Sequence, residues 1–454
     1  MLFSEYDIRG IWQKEINKDF ALKLGKVLVA FSRKKQPRIL INFDTRSSSP
    51  ILARYLIRGV SQVKGKAILG GKVSTPFHYF LTKKIKPDLS VMITASHNPP
   101  QWNGFKLFNK RGEVIYKENG LKKIQELLNS LKENHQSKKK KFSLEKINLK
   151  EWQKKYFQYL EKESPLKKDF WQKNKFVFDF SNGGSSLVIG RFLKKSKIKG
   201  FLFLNKKIDA FFRKHPSNPL LKESQKQIKR KILEEKAIAG AIFDGDGDRV
   251  VFFNQKGEII PAIVIAKLLI ENYFPRSKRI VSDVLSGLSF KNFLQEKKIK
   301  IIYSKVGTPY IYFSLKKKKT KFGFESSGHF YYASFWNYDN ADLTLLKILN
   351  LISSQPKKWQ ENCLLQRNFL PREEINFDRE KYRNYQKIKE RIKKRFSREK
   401  GKFDCLDGLS FFAENYWFNL RKSKTTPILR LNVEANSEKE LKKIKKELIS
   451  LIER

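Results

Sequence analysis

One local pattern recurs along the chain and restricts what it can fold into. A short apolar run, long enough for a buried strand, breaks abruptly into small, polar, turn-forming residues. RILINF (38–43) runs into DTRSSSP, LSVMI (89–93) into TASHNPP, and KFVFDF (175–180) into SNGGSS. AGAIF (239–243) runs into DGDGDR, and RIVSD (279–283) into VLSG. Helical patterns such as Phe20–Leu28 and Ile51–Val63 lie between such runs. Strand, turn, helix and strand in alternation argue for α/β domains with largely parallel sheets.

Two of the turns carry chemistry. In TASHNPP, Ser96 ends a buried strand and sits in a loop held by Pro99 and Pro100. A serine so placed is fixed while its hydroxyl stays accessible, which a covalent nucleophile requires. An isolated TASHN is otherwise an N-capping turn. In DGDGDR, Asp244, Asp246 and Asp248 alternate with Gly245 and Gly247, so the backbone can curl and the three carboxylates converge. Crowded carboxylates repel unless a cation sits among them, and all-oxygen ligation favours a hard ion such as Mg²⁺. An EF-hand is excluded, because the sixth position is Arg249 and the twelfth is Gln255. A solvated acidic turn is the ordinary alternative.

The 454 residues, 40% of them apolar, leave room for three or four domains. Two cysteines, Cys363 and Cys405, cannot build a disulfide framework or a cysteine zinc site, which fits a reducing compartment. MLFSEYDIRG lacks the apolar core of a signal peptide, and no apolar run approaches the roughly 20 residues of a membrane span. The expectation is a cytoplasmic protein with no membrane partner. A net charge of +51 invites a nucleic-acid reading, yet the lysines are dispersed through QSKKKKF, SLKKKKTKF, IKERIKKRF and KKIKKEL. No recognisable nucleic-acid-binding motif accompanies them, so no nucleic-acid partner is expected.

TASHNP and DGDGDR, with EYDIRG near the start and TTPILRLNVEA near the end, make the chain resemble the phosphohexomutases. Within that α-D-phosphohexomutase superfamily it is most similar to the bacterial phosphomannomutase/phosphoglucomutase branch. The resemblance implies an α/β fold: three similar α/β domains with mixed, largely parallel sheets, plus a C-terminal α+β domain, around a central cleft. The domains expected are 1–140 with a phosphoserine loop, 141–249 with a metal loop, 250–362 with a sugar loop, and 363–454 with a phosphate loop.

The resemblance also implies roles for individual residues. Ser96 carries a phosphoryl group and, with Asp244, Asp246 and Asp248, holds one Mg²⁺ ion. Arg9 of the YDIRG motif lies beside the phosphoserine, and Tyr6 of the same motif binds substrate. Lys106, in NGFK, reaches the phosphoryl group or the attacked hydroxyl. His97 orients Ser96 or makes a structural hydrogen bond, Arg249 stands among the carboxylates, and His329 lies near the reacting oxygen. The D-x-R-x-S segment from Asp44 supports the serine loop from behind. In GFESSGH, Glu325 and Ser327 bind the 3- and 4-hydroxyls of a hexose. In NLRKSKTTPILR, Arg421, Ser423, Thr425, Thr426 and Arg430 bind a phosphate, for which cations, hydroxyls and loop amides are suited.

The expected reaction interconverts hexose 1-phosphate and hexose 6-phosphate of mannose or glucose, with glucose 1,6-bisphosphate or mannose 1,6-bisphosphate as activator. The expected partners are hexose phosphates, and the expected state is a monomer or weak dimer. Three positions depart from the family pattern: Leu285 stands where lysine is common, Thr308 where histidine is common, and Lys424 for an asparagine. Other readings therefore stand beside the first. One is a phosphoglucosamine mutase, and another is a catalytically weak homologue that binds sugar phosphates. A third is a phosphatase or kinase using Ser96 covalently, although no P-loop supports ATP.

Overall fold

A computed structural model of the chain describes residues 2–131, 144–364, 370–423 and 428–454, and these form two compact units. One unit comprises Met1–Ile260, Ser327–His329 and Tyr338–Trp359; the other comprises Pro261–Ser326, Phe330–Asn337 and Gln360–Arg454. The polar stretch QSKKKKF lies outside the described residues apart from the helix that leads to it, Leu121–Ser130.

The first unit holds two mixed sheets. The first sheet runs Ile8–Ile11, Trp102–Phe108, Leu89–Ile93, Arg38–Phe43, Lys66–Lys72 and Leu144–Lys146, with Val114–Ile115 paired on Trp102–Phe108. Its pairs from Leu89–Ile93 to Leu144–Lys146 are parallel, and those toward Ile8–Ile11 are antiparallel. Helix α1 (Lys18–Ser32), capped by the Asn17 side chain on Phe20 N, packs on α2 (Ser49–Gln62) over this sheet. The two helices cross with almost no separation. A methyl at Gly59 would stand 2.0 Å from Leu22 O, and one at Gly25 would stand 2.3 Å from Leu56 O. The second sheet runs Ile259–Ile260, Val250–Asn254, Ala239–Phe243, Phe176–Asp179 and Phe201–Leu204. The pairs among its last three strands are parallel, and the others are antiparallel.

The second unit repeats the plan once. Lys300–Ser304, Arg279–Asp283 and Phe322–Phe324 are parallel, and Phe330–Tyr332 closes the sheet antiparallel. The helix Ala262–Tyr273 has Pro261 as its N-cap. The C-terminal part is a five-stranded antiparallel sheet. Its apolar face packs against two helices, Tyr385–Phe396 and Glu438–Glu453, through Ile388, Ile392, Leu441 and Leu448. Ser437 caps the last helix on Glu440 N.

The three mixed sheets share one structural position. In each, the chain leaves the C-terminal end of a parallel strand, makes a loop, and returns as an antiparallel neighbour. TASHNPP occupies that position after Leu89–Ile93, DGDGDR after Ala239–Phe243, and ESSGH after Phe322–Phe324. Ser96, the three aspartates, Glu325, Ser327 and His329 therefore lie at the ends of strands where α/β sheets carry their ligands.

A polar network inside the apolar first unit ties three helices together. On α3 (Thr75–Ile85), Phe77 and Phe80 pack on Tyr156 of α4 (Leu149–Glu163). The Tyr156 hydroxyl donates to Asp342 Oδ2 at 3.0 Å and lies 3.3 Å from Asn340 Oδ1, at the start of α5 (Ala341–Ser354). Asn340 also caps α5 on Leu343 N. Burial pushes the Asp342 carboxyl up to about 7, an effect the Tyr156 hydroxyl only partly offsets.

Two expectations follow from this packing. Gly59→Ala drives a methyl into a backbone carbonyl and should cost about 1–3 kcal/mol or more, read as a lower urea midpoint; an unchanged midpoint would mean the helices separate freely. For Asp342, the folded carboxyl keeps its proton up to about pH 7, whereas an unfolded aspartate loses it near about 4. Stability should therefore fall as the pH rises between those values and level off above them. Asp342→Asn removes this contribution, so its unfolding free energy should gain a few kcal/mol on wild type between the two ends of that window. A difference that does not vary with pH would contradict the assignment.

Candidate active site

Ser96 sits in the left-handed region, with φ 51°, a conformation that costs a serine energy and must be imposed by its surroundings. The imposing groups are visible. Ser96 N–H donates to Thr94 Oγ1 at 2.8 Å, and Arg46 Nη2 donates to Ser96 O at 2.8 Å. Arg46 is 1% exposed and gives its remaining N–H groups to Asn98 O, Pro99 O, Trp102 O and Asp44 Oδ2. Asp44 is fixed in turn by the Ser49 hydroxyl at 2.6 Å. The D-x-R-x-S segment thus clamps the serine loop by its carbonyls, and Arg46 is a key residue that sequence reasoning left unnamed within a segment it had noticed.

The Ser96 hydroxyl donates to Asp244 Oδ2 at 3.0 Å and lies 3.3 Å from His97 Nδ1. Ser96 is only 1% exposed. This corrects the expectation of an accessible hydroxyl: the carboxylate loop folds directly over it. The approach needs a residue without a side chain, since a methyl at Gly245 would stand 2.7 Å from Ser96 O. Burial, then the charges of Arg249 and Arg9, hold the His97 imidazole well below its ordinary value, so it faces Ser96 as a neutral ring.

Asp244, Asp246 and Asp248 are all buried, and one oxygen from each lies within 4.8 Å of the others. Asp246 Oδ1 and Asp248 Oδ1 have no hydrogen-bond partner. Burial, then the charges of Asp248 and Asp246, push the Asp244 carboxyl well above its usual range. For Asp248, burial acts in the same upward direction, but Lys106, His329 and Arg249 outweigh it and hold the group low. Unpartnered buried carboxylate oxygens converging on one point are the donor set a hard divalent cation takes, so the residues fit such an ion.

Cations surround the carboxylates. Lys106 Nζ donates to Asp246 Oδ2 at 2.8 Å and Asp248 Oδ2 at 2.6 Å, so it lies on the carboxylates, where the resemblance implied the phosphoryl group or the attacked hydroxyl. Arg249 Nε is 3.8 Å from Asp244 Oδ2. Arg9 bonds Asp7, Ala95 O and Asn98 Oδ1, bracing the residues on either side of the Ser96–His97 pair. Tyr6 is half-buried in the same N-terminal turn. Thr75, at the start of α3, donates its hydroxyl to Asp246 Oδ2 at 2.6 Å.

His329 joins this group, its Nδ1 standing 3.8 Å from Asp248 Oδ1 and 2.6 Å from Asp339 Oδ2. Burial opposes its charge, but Asp248 and Asp339 prevail over burial and Arg249 and push it up to about 9. Asp339 has no sequence signal, lying ten residues beyond the histidine in a stretch without a motif. Half-buried Ser327 is in the same loop, which Val250 N–H anchors on Gly328 O at 3.2 Å.

The remaining residues belong to the second unit. Glu325 is 2% exposed and accepts from Gly307 N–H and, at 3.0 Å, from the Tyr331 hydroxyl. The same hydroxyl lies 3.2 Å from Thr308 Oγ1. Leu285 is buried in an apolar cluster with Val284, Leu288 and Trp417, so this place holds packing where the family commonly has a charge. Arg421 and Arg430 stand directly opposite one another across an antiparallel pair. Like charges so placed repel unless an anion or acid intervenes; Arg430 has Glu374 at 3.8 Å, while Arg421 Nε is buried without a hydrogen-bond partner. Ser423 is buried beside them. Lys424, Thr425 and Thr426 lie outside the described residues. Among the described residues, no helix is long and apolar enough to cross a membrane.

Four family models match the chain in order. They are the phosphoglucomutase/phosphomannomutase alpha/beta/alpha domains I, II and III at residues 1–135, 154–257 and 256–367, and the C-terminal domain at 374–451. The phosphomannomutase of Methanocaldococcus jannaschii is 33% identical, covering 100% of this chain and 97% of that protein. The phosphoglucosamine mutase of Clostridium kluyveri is 28% identical, covering 100% and 98%. The crystal structure of a phosphoglucomutase/phosphomannomutase family protein from Burkholderia thailandensis has a TM-score of 0.86 at 23% identity, covering 99% of this chain and 96% of that one. Together with the serine, carboxylate and lysine constellation, these matches make the chain a member of the phosphoglucomutase/phosphomannomutase family of mutases.

Proposed function

We propose that the protein interconverts hexose 1-phosphates and hexose 6-phosphates through a phosphoserine at Ser96 and a bound hexose 1,6-bisphosphate. The observation that carries this is the contact of the Ser96 hydroxyl with Asp244, in a buried group that also holds Asp246, Asp248 and Lys106. In the first half-reaction the phosphorus–Oγ bond of phosphorylated Ser96 breaks as a sugar hydroxyl bonds to phosphorus; the hydroxyl proton passes to a base and the freed Oγ takes up a proton. In the second, the Ser96 hydroxyl gives its proton to a base and bonds to the phosphorus at the other end of the bisphosphate, whose bond to the sugar oxygen breaks to leave a sugar hydroxyl.

Asp244, Asp246 and Asp248 would hold Mg²⁺, which supplies charge neutralisation for the transferring group. Lys106 and Arg249 add fixed positive charge where the transition state spreads negative charge. Arg9 and Arg46 keep the serine loop in its left-handed conformation, and His97 sets the direction of the hydroxyl. His329 is the candidate for exchanging a proton with the reacting sugar oxygen. Glu325 and Ser327 keep proposed roles at the sugar hydroxyls, and Tyr6 a proposed role in binding substrate. Arg421, Ser423, Thr425, Thr426 and Arg430 keep proposed roles at a phosphate. The placement of Arg421 and Arg430 opposite one another across the strand pair supports the phosphate assignment, because a dianion beside two such cations offsets their repulsion.

Mannose and glucose are the favoured sugars. The Glu325-Ser326-Ser327 and Thr425-Thr426-Pro427 sequences resemble that branch more than the glucosamine branch, and the phosphomannomutase relative is the more identical of the two compared above.

Intact-protein mass spectrometry should find one phosphoryl group, mapped to residues 92–106 and restored by a hexose 1,6-bisphosphate. Ser96→Ala should lose it together with at least about a thousandfold of the activity; a fully active Ser96→Ala would end this mechanism. Asp246→Asn should weaken Mg²⁺ binding in calorimetry and lower turnover in parallel, whereas unchanged affinity would remove the carboxylates from the metal site. Mannose 1-phosphate and glucose 1-phosphate should both be converted. If glucosamine 1-phosphate has the higher kcat/KM by about tenfold, or ~1.4 kcal/mol, the glucosamine reading replaces this one.

A further inference from the structure

We propose that Asp339 is a positioning residue for His329: it accepts the Nδ1–H proton, fixes the plane of the ring, and turns Nε2 toward the substrate. The proposal rests on the reading of His329 as the group beside the reacting oxygen, and it adds the residue that directs it.

The geometry is specific. Asp339 Oδ2 lies 2.6 Å from His329 Nδ1, and Asp339 is 0% exposed while His329 is 4% exposed. The same nitrogen edge has Asp248 Oδ1 at 3.8 Å. With Asp339 bonded at Nδ1, the proton on that nitrogen is held by the carboxylate, and proton exchange by the ring runs through Nε2. A carboxylate bonded to one imidazole nitrogen sets the tautomer and orientation of the other, a general device in catalytic histidines.

The segment that presents Asp339 is held from both sides. The ring of Tyr338 stacks on Tyr79 of α3 with centroids 4.3 Å apart and planes 11° from parallel. Asn340 caps α5 and also bonds the Tyr156 hydroxyl, which donates to Asp342. An aspartate between a stacked ring and a helix cap cannot drift, so its carboxylate holds a fixed position against the imidazole. Ordinary packing does not require this design: a buried carboxylate bonded only to a histidine is costly unless the pair has work to do. Asp339 Oδ1 is buried without a hydrogen-bond partner, so the contact with His329 is what this side chain has to offset its burial.

The test uses the full chain labelled with ¹⁵N-histidine, in which only five histidines contribute. The wild type should show a strongly downfield ring proton coupled to ¹⁵N, assigned to His329 by its absence from His329→Gln. Asp339→Asn should lose that resonance and lower kcat between about tenfold and about a thousandfold, with KM nearly unchanged. Asp339→Glu, which restores a carboxylate on a longer arm, should recover part of both. A wild type without the resonance overturns the proposal, and so does an Asp339→Asn enzyme that loses the resonance yet keeps its kcat. If Asp339→Asn does not fold, His329→Gln decides alongside the wild-type spectrum, since an unchanged kcat there leaves no catalytic ring to direct. Because the resonance is read without turnover, a failure of the mutase reading through Ser96 is distinguishable from a failure of the dyad.

Discussion

Three buried carboxylates on one short loop are the constraint on which the first unit depends. Two unit charges about 4 Å apart repel by roughly 4 kcal/mol even at an effective dielectric constant near 20. Asp244, Asp246 and Asp248 bring one oxygen each within 4.8 Å of the others at 0–1% exposure, and burial with this crowding pushes the Asp244 carboxyl up. Within their own loop, Arg249 and the backbone N–H groups of Gly247 and Arg249 on Asp244 Oδ1 offset part of this. Further compensation arrives from elsewhere in the chain: Lys106 from the first sheet, Thr75 from the start of α3, and His329 from the loop before Phe330. The site is therefore also an electrostatic clasp within the first unit. Its residues join segments distant in sequence as well as forming the candidate site, and activity losses in their variants must be read beside stability.

The shared plan of the three mixed sheets explains why the loops can specialise. A parallel strand that turns back as an antiparallel neighbour leaves its connecting loop outside the sheet, where the backbone is not committed to the ladder. The flanking strands hold the loop ends to a fixed spacing, so the residues between them can change without disturbing the core. One such loop carries the serine, another the carboxylates, and the third Glu325, Ser327 and His329. The same scaffold thus places the loops for which a nucleophile, a cation site and a sugar-binding group are proposed at equivalent points.

Much of this was legible in the sequence because the signals are local. Alternating Asp and Gly after an apolar strand specify a carboxylate turn, and Ser96 is marked by the prolines that follow it. The contributions that escaped are those that need a second segment. Arg46 is a cation in a polar turn until its carbonyl partners, 50 to 56 residues on, are known. Thr75 is a helix start until Asp246 is brought beside it, and Asp339 has no pattern at all. The expected accessibility of the Ser96 hydroxyl failed for the same reason, since the covering loop is 148 residues away. Leu285 is the converse case: the sequence announces a missing lysine, and only packing explains that the space is filled by Val284, Leu288 and Trp417.

The net charge of +51 acts on a different scale from the site. Surface lysines are screened by salt over about 8 Å at physiological ionic strength, so they contribute little to the balance among buried carboxylates. That balance is set by contacts of 2.6–3.8 Å among Lys106, Arg249, His329 and the aspartates. What a dispersed positive surface does supply is long-range attraction for anions, raising the encounter rate of a phosphorylated sugar in a salt-dependent way. Long-range attraction and the balance within the candidate site are thus set by separate groups of charges: the first by dispersed surface lysines, the second by a few side chains in direct contact.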